Sequence, residues 1–198
     1  MLDPLMRRLI DPPLNAIGAS IAKSRLPANY ITLGGLGVGL LSLPLIANGD
    51  FVPALAAILI NRLLDGLDGA VARVQGTTAF GGYLDIVCDM AFYAAVPLGF
   101  ALRDPANAIW AALLLGSFVC TGATFLGRAI LAAQRGEAGD AARGAKSFFH
   151  SAGLMEGTET ILAFVLFCLL PIHFPAIAAI FAALCFWTAF ARVMDARG

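Results

Sequence analysis

The segment NRLLDGLDGAVARVQGTTAFGGYLDIVCDMAF, residues 61–92, carries four aspartates: Asp65, Asp68, Asp85 and Asp89. Residues three and four apart share one face of a helix. Asp65 and Asp68 are three apart, and Asp85 and Asp89 are four apart. A turn centred near residue 77 makes Asp65 equidistant with Asp89, and Asp68 nearly level with Asp85. In a helical hairpin the four carboxylates therefore converge on one site. At about 1.5 Å rise per residue, the site lies on the order of 10–18 Å below the turn end of the helices. Each carboxylate within apolar sequence costs a few kcal/mol, and four together repel one another. Carboxylate oxygen is the ligand class of Mg²⁺ and Mn²⁺, and two such ions about 3.5–4 Å apart suit phosphoryl transfer. Single intramembrane carboxylates instead serve ion paths or proton relays, or pair with a basic neighbour. Arg62, one turn before Asp65, can supply such a charge.

The small residues around the acids extend this reading. Glycine costs roughly 1 kcal/mol in a helix interior, so Gly66 and Gly69 imply close approach by another group. For Gly66 a neighbouring helix suffices, whereas Gly69, next to Asp68, suits approach by a ligand. Arg73 ends the helix near the acidic cup as a fixed cation able to hold a diphosphate.

The elements that must hold these residues are apolar helices. Hydrophobic residues make up 60% of the 198 and charged residues 13%, against roughly 45–50% and 25% in soluble domains. An all-α integral membrane protein of one domain is expected, spanning residues 1–198. About 20 apolar residues cross a bilayer, and six stretches qualify: about 30–48, 52–73, 80–102, 107–133, 152–171 and 174–194. The six-helix bundle thus covers 30–194. Residues 1–25 lack the long apolar core of a secretory signal. They read as an amphipathic juxtamembrane helix, with Leu5, Leu9, Ile10, Leu14, Ile17 and Ile21 at helical spacing and Arg7, Arg8, Lys23 and Arg25 toward anionic headgroups. The cysteines Cys88, Cys120, Cys168 and Cys185 form no CxxC pair and read as buried reduced thiols.

Six spans place both termini on one side. That side receives Arg7, Arg8, Lys23, Arg25, Arg73, Arg135, Arg143, Lys146, Arg192 and Arg197, and the other receives Arg103. The positive-inside rule then predicts a multi-pass inner or plasma membrane protein with its termini and active site facing the cytoplasm. No nucleic-acid partner is expected.

Asp65, Asp68, Gly69, Ala72, Arg73, Gly81, Asp85 and Asp89 resemble the signature D-x2-D-G-x2-A-R-x8-G-x3-D-x3-D of the CDP-alcohol phosphotransferases, with one residue fewer between Arg73 and Gly81. NYIT, residues 29–32, is similar to the polar start of that family's first span. The resemblance implies that Asp65, Asp68, Asp85 and Asp89 bind metal, two Mg²⁺ or Mn²⁺ ions being expected. It implies that Asp89 is also the catalytic base toward the acceptor hydroxyl. Gly69 and Ala72 resemble positions that admit the cytidine nucleotide, Arg73 the diphosphate-side arginine, and Gly81 completes that set. A homodimer is implied as well.

The reaction expected is transfer of a phosphatidyl group from CDP-diacylglycerol to a small polar alcohol, releasing CMP. Arg128, Arg143 and Lys146 suit an acceptor phosphate, as in glycerol 3-phosphate or inositol phosphate, although loop cations also follow from topology alone. Glu156 and Glu159 open the fifth span, where they either line the acceptor side or answer the helix macrodipole. An acidic lining would instead favour a CDP-amino alcohol phosphotransferase. Two further alternatives are an intramembrane prenyltransferase and a divalent-cation transporter. The first would release inorganic diphosphate. The second needs polar residues reaching both faces, whereas 52–60 and 92–102 are apolar.

Overall fold

The computed structural model describes residues 3–24, 26–135 and 155–197, and they form an all-α protein. The helices are α1 (Asp3–Ala22), α2 (Ala28–Leu40), α3 (Ser42–Asn48), α4 (Phe51–Gln75), α5 (Ala79–Arg103), α6 (Ala108–Gln134), α7 (Gly157–Leu169) and α8 (Phe174–Asp195). Short 3-10 turns at Pro105–Asn107 and Pro171–His173 lead into α6 and α8. In each a proline stands at the first position, where its missing N–H costs nothing.

Four of the elements expected to span are long and apolar enough to do so: Ala28–Asn48, Ala79–Arg103, Pro105–Gln134 and Pro171–Asp195. Only 22–39% of each is buried within the bundle. Side chains such as Val52, Val119, Ile172 and Ile180 point outward, as a lipid-facing surface requires. The chain is a multi-pass integral membrane protein. Two expected spans differ from the others. Helix α4 has 25 residues but carries Arg62, Asp65, Asp68 and Arg73, so its apolarity falls short. Helix α7 has 13 residues, about 20 Å at 1.5 Å each, against the 152–171 expected; residues 152–154 lie outside the described residues. The first expected span is also interrupted, α2 passing into α3 at Leu41.

Helix α4 is the hub, packing against α1, α2, α3 and α7, while α5 packs on α2, α3 and α6. Away from the aspartates, aromatic side chains fill the bundle. Phe100 stacks on Phe174 with centroids 4.3 Å apart, and Phe92 meets Phe164 edge-on at 5.8 Å. Such pairs contribute about 0.5–1.5 kcal/mol beyond their buried area. Cys88, Cys168 and Cys185 are buried free thiols as expected; Cys120 is free but exposed, on the outer face of α6.

Close approach of α2 to the hairpin depends on its glycines. Asn61 Nδ2 donates to the Gly35 carbonyl at 2.9 Å. A Cβ on Gly39 would stand 2.8 Å from both Asn61 Nδ2 and Phe92 Cδ2, whereas one on Gly34 meets nothing. We expect Gly39→Leu to destabilise the detergent-solubilised protein by about 1–3 kcal/mol, the usual cost of overpacking. Gly34→Leu serves as the silent control, and thermal melts of the two variants check the difference.

Candidate active site

Helices α4 and α5 are antiparallel neighbours joined by residues 76–78 alone. Gly76 takes φ +99°, a backbone shape that side-chain-bearing residues rarely adopt, and this lets α4 stop abruptly. Thr78 then caps α5, its Oγ1 accepting from Gly81 N–H at 3.0 Å, an interaction typically contributing about 1 kcal/mol. Gly81 is confined by the same contact: a Cβ there would lie 3.0 Å from Thr78 Oγ1 and 3.3 Å from Asn29 Oδ1. Gln75 Nε2 donates to the Leu26 carbonyl at 2.8 Å, tying the turn to the start of α2. The hairpin with one residue fewer than the signature closes in this way.

The four aspartates form two levels. Asp68 and Asp85 face an open cleft of about 370 Å³ at the turn end, a volume within the range of small-molecule sites. The cleft is also lined by Gly69, Ala72, Arg73 and Gly81. Asp65 and Asp89 lie deeper, about 4.5–6 Å further along their helices. There the Arg62 guanidinium bridges them, Nη2 to Asp65 Oδ2 at 2.8 Å and Nη1 to Asp89 Oδ1 at 3.2 Å. Asp68 is buried at 6% exposure, and its Oδ2 has no hydrogen-bond partner among the described residues.

Among the described residues no three His, Cys, Asp or Glu side chains have the spacing of a preformed metal site. Arg62 accounts for this in part, since it takes one oxygen from each of the deeper aspartates. The donor set nonetheless suits a hard divalent cation. It consists of carboxylate oxygens, one of them buried and unpartnered, and one guanidinium against four carboxylates leaves the cluster acidic.

Helix α1 lies against the same segment of α4. Leu14 fills the notch at Gly66, whose Cβ would stand 2.6 Å from Leu14 Cδ1, and Gly18 meets Ala70 and the Val71 backbone. Asn15 Oδ1 accepts from Arg73 Nη2 at 2.7 Å, aligning the arginine at the cleft rim. The role of Asn15 carried no signal in the sequence, because its partner lies 58 residues away. Asn29 and Thr32 also line the cleft, and the polar start of the first span was the only trace of them.

The residues considered for the acceptor lie elsewhere. Arg128 faces Asp195 at 3.9 Å. Glu156 and Glu159 form a reciprocal capping box at the start of α7, with Glu156 N–H donating to Glu159 Oε2 at 3.2 Å. Neither group contributes to the cleft wall. Arg143 and Lys146 lie outside the described residues.

Residues 25–192 match the CDP-alcohol phosphatidyltransferase family profile. The chain belongs to this family. It is therefore an enzyme whose general reaction moves a substituted phosphate from a CDP-linked donor, in a family that is generally metal-dependent. An inner membrane protein of Escherichia coli (strain K12), YnjF, is 46% identical over 98% of this chain and 94% of its own length. An archaetidylinositol phosphate synthase of Methanothermobacter thermautotrophicus is 40% identical over 43% of this chain and 41% of its own. The fold matches a Mycobacterium tuberculosis phosphatidylinositol phosphate synthase solved with CDP-DAG bound, with TM-score 0.72 and 19% identity over 91% of this chain and 92% of that one.

A Cβ on Gly69 meets only Arg73 Nη1, at an ordinary 3.4 Å. We expect Gly69→Leu to fold with unchanged or slightly raised stability, since leucine is the better helix former by roughly 0.8 kcal/mol. The same side chain fills the cleft, so the variant should lose most of its affinity for a CDP-linked donor. Calorimetric titration with CDP beside a thermal melt separates the two effects.

Proposed function

We propose that this enzyme transfers a phosphatidyl group from CDP-diacylglycerol to the hydroxyl of a small phosphorylated polyol, with CMP as the second product. The observation that carries this reading is one cleft wall built from Asp68, Gly69, Ala72, Arg73, Gly81 and Asp85. It is a cavity with small residues on one side and carboxylates and a cation around it. The relatives' names favour inositol phosphate as acceptor, since two archaeal proteins matched over about half of this chain are archaetidylinositol phosphate synthases. Glycerol 3-phosphate has the same polyol-phosphate chemistry.

The residues divide the work as follows. Gly69, Ala72 and Gly81 leave room for the nucleotide, and Arg73, steadied by Asn15, offers its guanidinium to the diphosphate. Asp65, Asp68, Asp85 and Asp89 are the ligands for Mg²⁺ or Mn²⁺, two ions being the expected number. Bound there, such ions neutralise the diphosphate and render phosphorus more electrophilic. Asp89 takes the proton from the acceptor hydroxyl. The freed oxygen forms a bond to the lipid-side phosphorus, the bond from that phosphorus to the CMP oxygen breaks, and CMP leaves with the electron pair. Acceptor phosphate binding is assigned to Arg128, Arg143 and Lys146, while Glu156 and Glu159 cap the start of α7. Six spans with a surface-lying α1, both termini and the site on the cytoplasmic side, and a homodimer in the inner or plasma membrane complete the proposal.

Purified protein given CDP-diacylglycerol, Mg²⁺ and a panel of inositol phosphate, glycerol 3-phosphate, inositol, serine and choline tests the acceptor through CMP release. The expected outcome is turnover with a phosphorylated polyol and none with choline. Asp89→Asn should abolish turnover, a loss of about 10²–10⁴-fold for a missing general base, while CDP-diacylglycerol still binds. Turnover near the wild-type rate in that variant would remove Asp89 from the mechanism.

A further inference from the structure

Arg62 is the one described basic side chain shown bridging the two helices of the acidic hairpin. It reaches the hollow from beneath, three residues before Asp65 and further from the turn. Its two nitrogens engage carboxylates on different helices, Asp65 of α4 and Asp89 of α5, with side chains 23–28% exposed. A planar fork suits this division better than an ammonium, which offers a point charge. The guanidinium takes the deeper pair and leaves Asp68 and Asp85 facing the cleft, with Asp68 Oδ2 unpartnered.

We infer that Arg62 is a built-in counter-cation that holds the acidic hollow together without metal and competes with divalent ions for the oxygens of Asp65 and Asp89. The inference rests on the proposal that these aspartates are metal ligands. It assigns Arg62 a positioning role, with two consequences of opposite sign. In the absence of divalent ions Arg62 offsets repulsion among four carboxylates and crosslinks α4 to α5, so it stabilises the fold. In their presence the same charge repels the incoming ion and occupies oxygens the ion would take, so it weakens metal binding. Metal affinity is thereby set low enough that the anionic diphosphate of the donor contributes to it, favouring joint occupancy over metal alone.

The test uses the full-length protein in detergent, with Mn²⁺ alone as probe. Free Mn²⁺ is read by electron paramagnetic resonance, alongside thermal melts with and without the ion. Arg62→Gln should melt lower than wild type in chelator yet bind Mn²⁺ roughly three- to thirtyfold more tightly, the release of two partly exposed ion pairs. Arg62→Lys, which keeps the charge but holds one carboxylate at a time, should tighten binding by roughly threefold. If Arg62→Gln does not fold, the lysine variant decides alone. A merely structural arginine would lower the melting point and leave Mn²⁺ affinity unchanged or weaker, and that result overturns the inference. Asp68→Asn separates the two levels of the claim. If wild type binds Mn²⁺ and Asp68→Asn does not, the metal proposal stands whatever Arg62 does. If wild type and Asp68→Asn both fail to bind, the metal proposal and the role of Arg62 fall together.

Discussion

Carboxylates gathered within apolar helices need positive charge, and the satisfaction of that need organises this molecule. Four aspartates lie on the facing sides of α4 and α5, where neither lipid nor the aromatic interior can solvate them. One cation, Arg62, reaches two of them from below. The other two line the cleft, Asp85 half-buried and Asp68 buried. The result is a graded site, bridged by one cation in its depth and without such a bridge toward the turn. A buried carboxylate oxygen without a partner is expensive, and Asp68 Oδ2 stands where a cation would relieve it.

The remainder of the fold keeps that hairpin rigid and close to its neighbours. Gly76 and Thr78 close the turn within three residues, which sets the depth at which each aspartate meets its counterpart. Gly35 and Gly39 let α2 approach near enough for Asn61 to bond the Gly35 carbonyl. Gly18 and Gly66 do the same for α1, which brings Asn15 to Arg73. Small residues thus serve two purposes along one helix. Gly66 accepts a neighbouring side chain, and Gly69, a single turn on, leaves space in the cleft. The stacked and edge-on phenylalanines supply van der Waals contact where lipid gives helices little reason to associate.

Much of this was legible in the order of the residues. A helix advances by a fixed rise and angle, so spacings of three and four, mirrored about a short turn, dictate one face and paired depths without further information. The apolar runs likewise marked the helices, and the chain's family could be recognised from eight positions around the four acids. Ambiguity remained where one residue type serves two ends. Glu156 and Glu159 suited either a helix start or an acceptor lining, and the structure shows the capping box they build.

Helical periodicity and the short turn, both local properties of the chain, determined that the four acids lie at two levels along one helical hairpin. Tertiary structure decided how those acids are partnered. The fork of Arg62 across α4 and α5, the hold of Asn15 on Arg73 and the orphaned oxygen of Asp68 all depend on distances between helices. Those distances follow from where glycines permit contact and aromatic rings fill space, and spacing along a single helix carries no record of them.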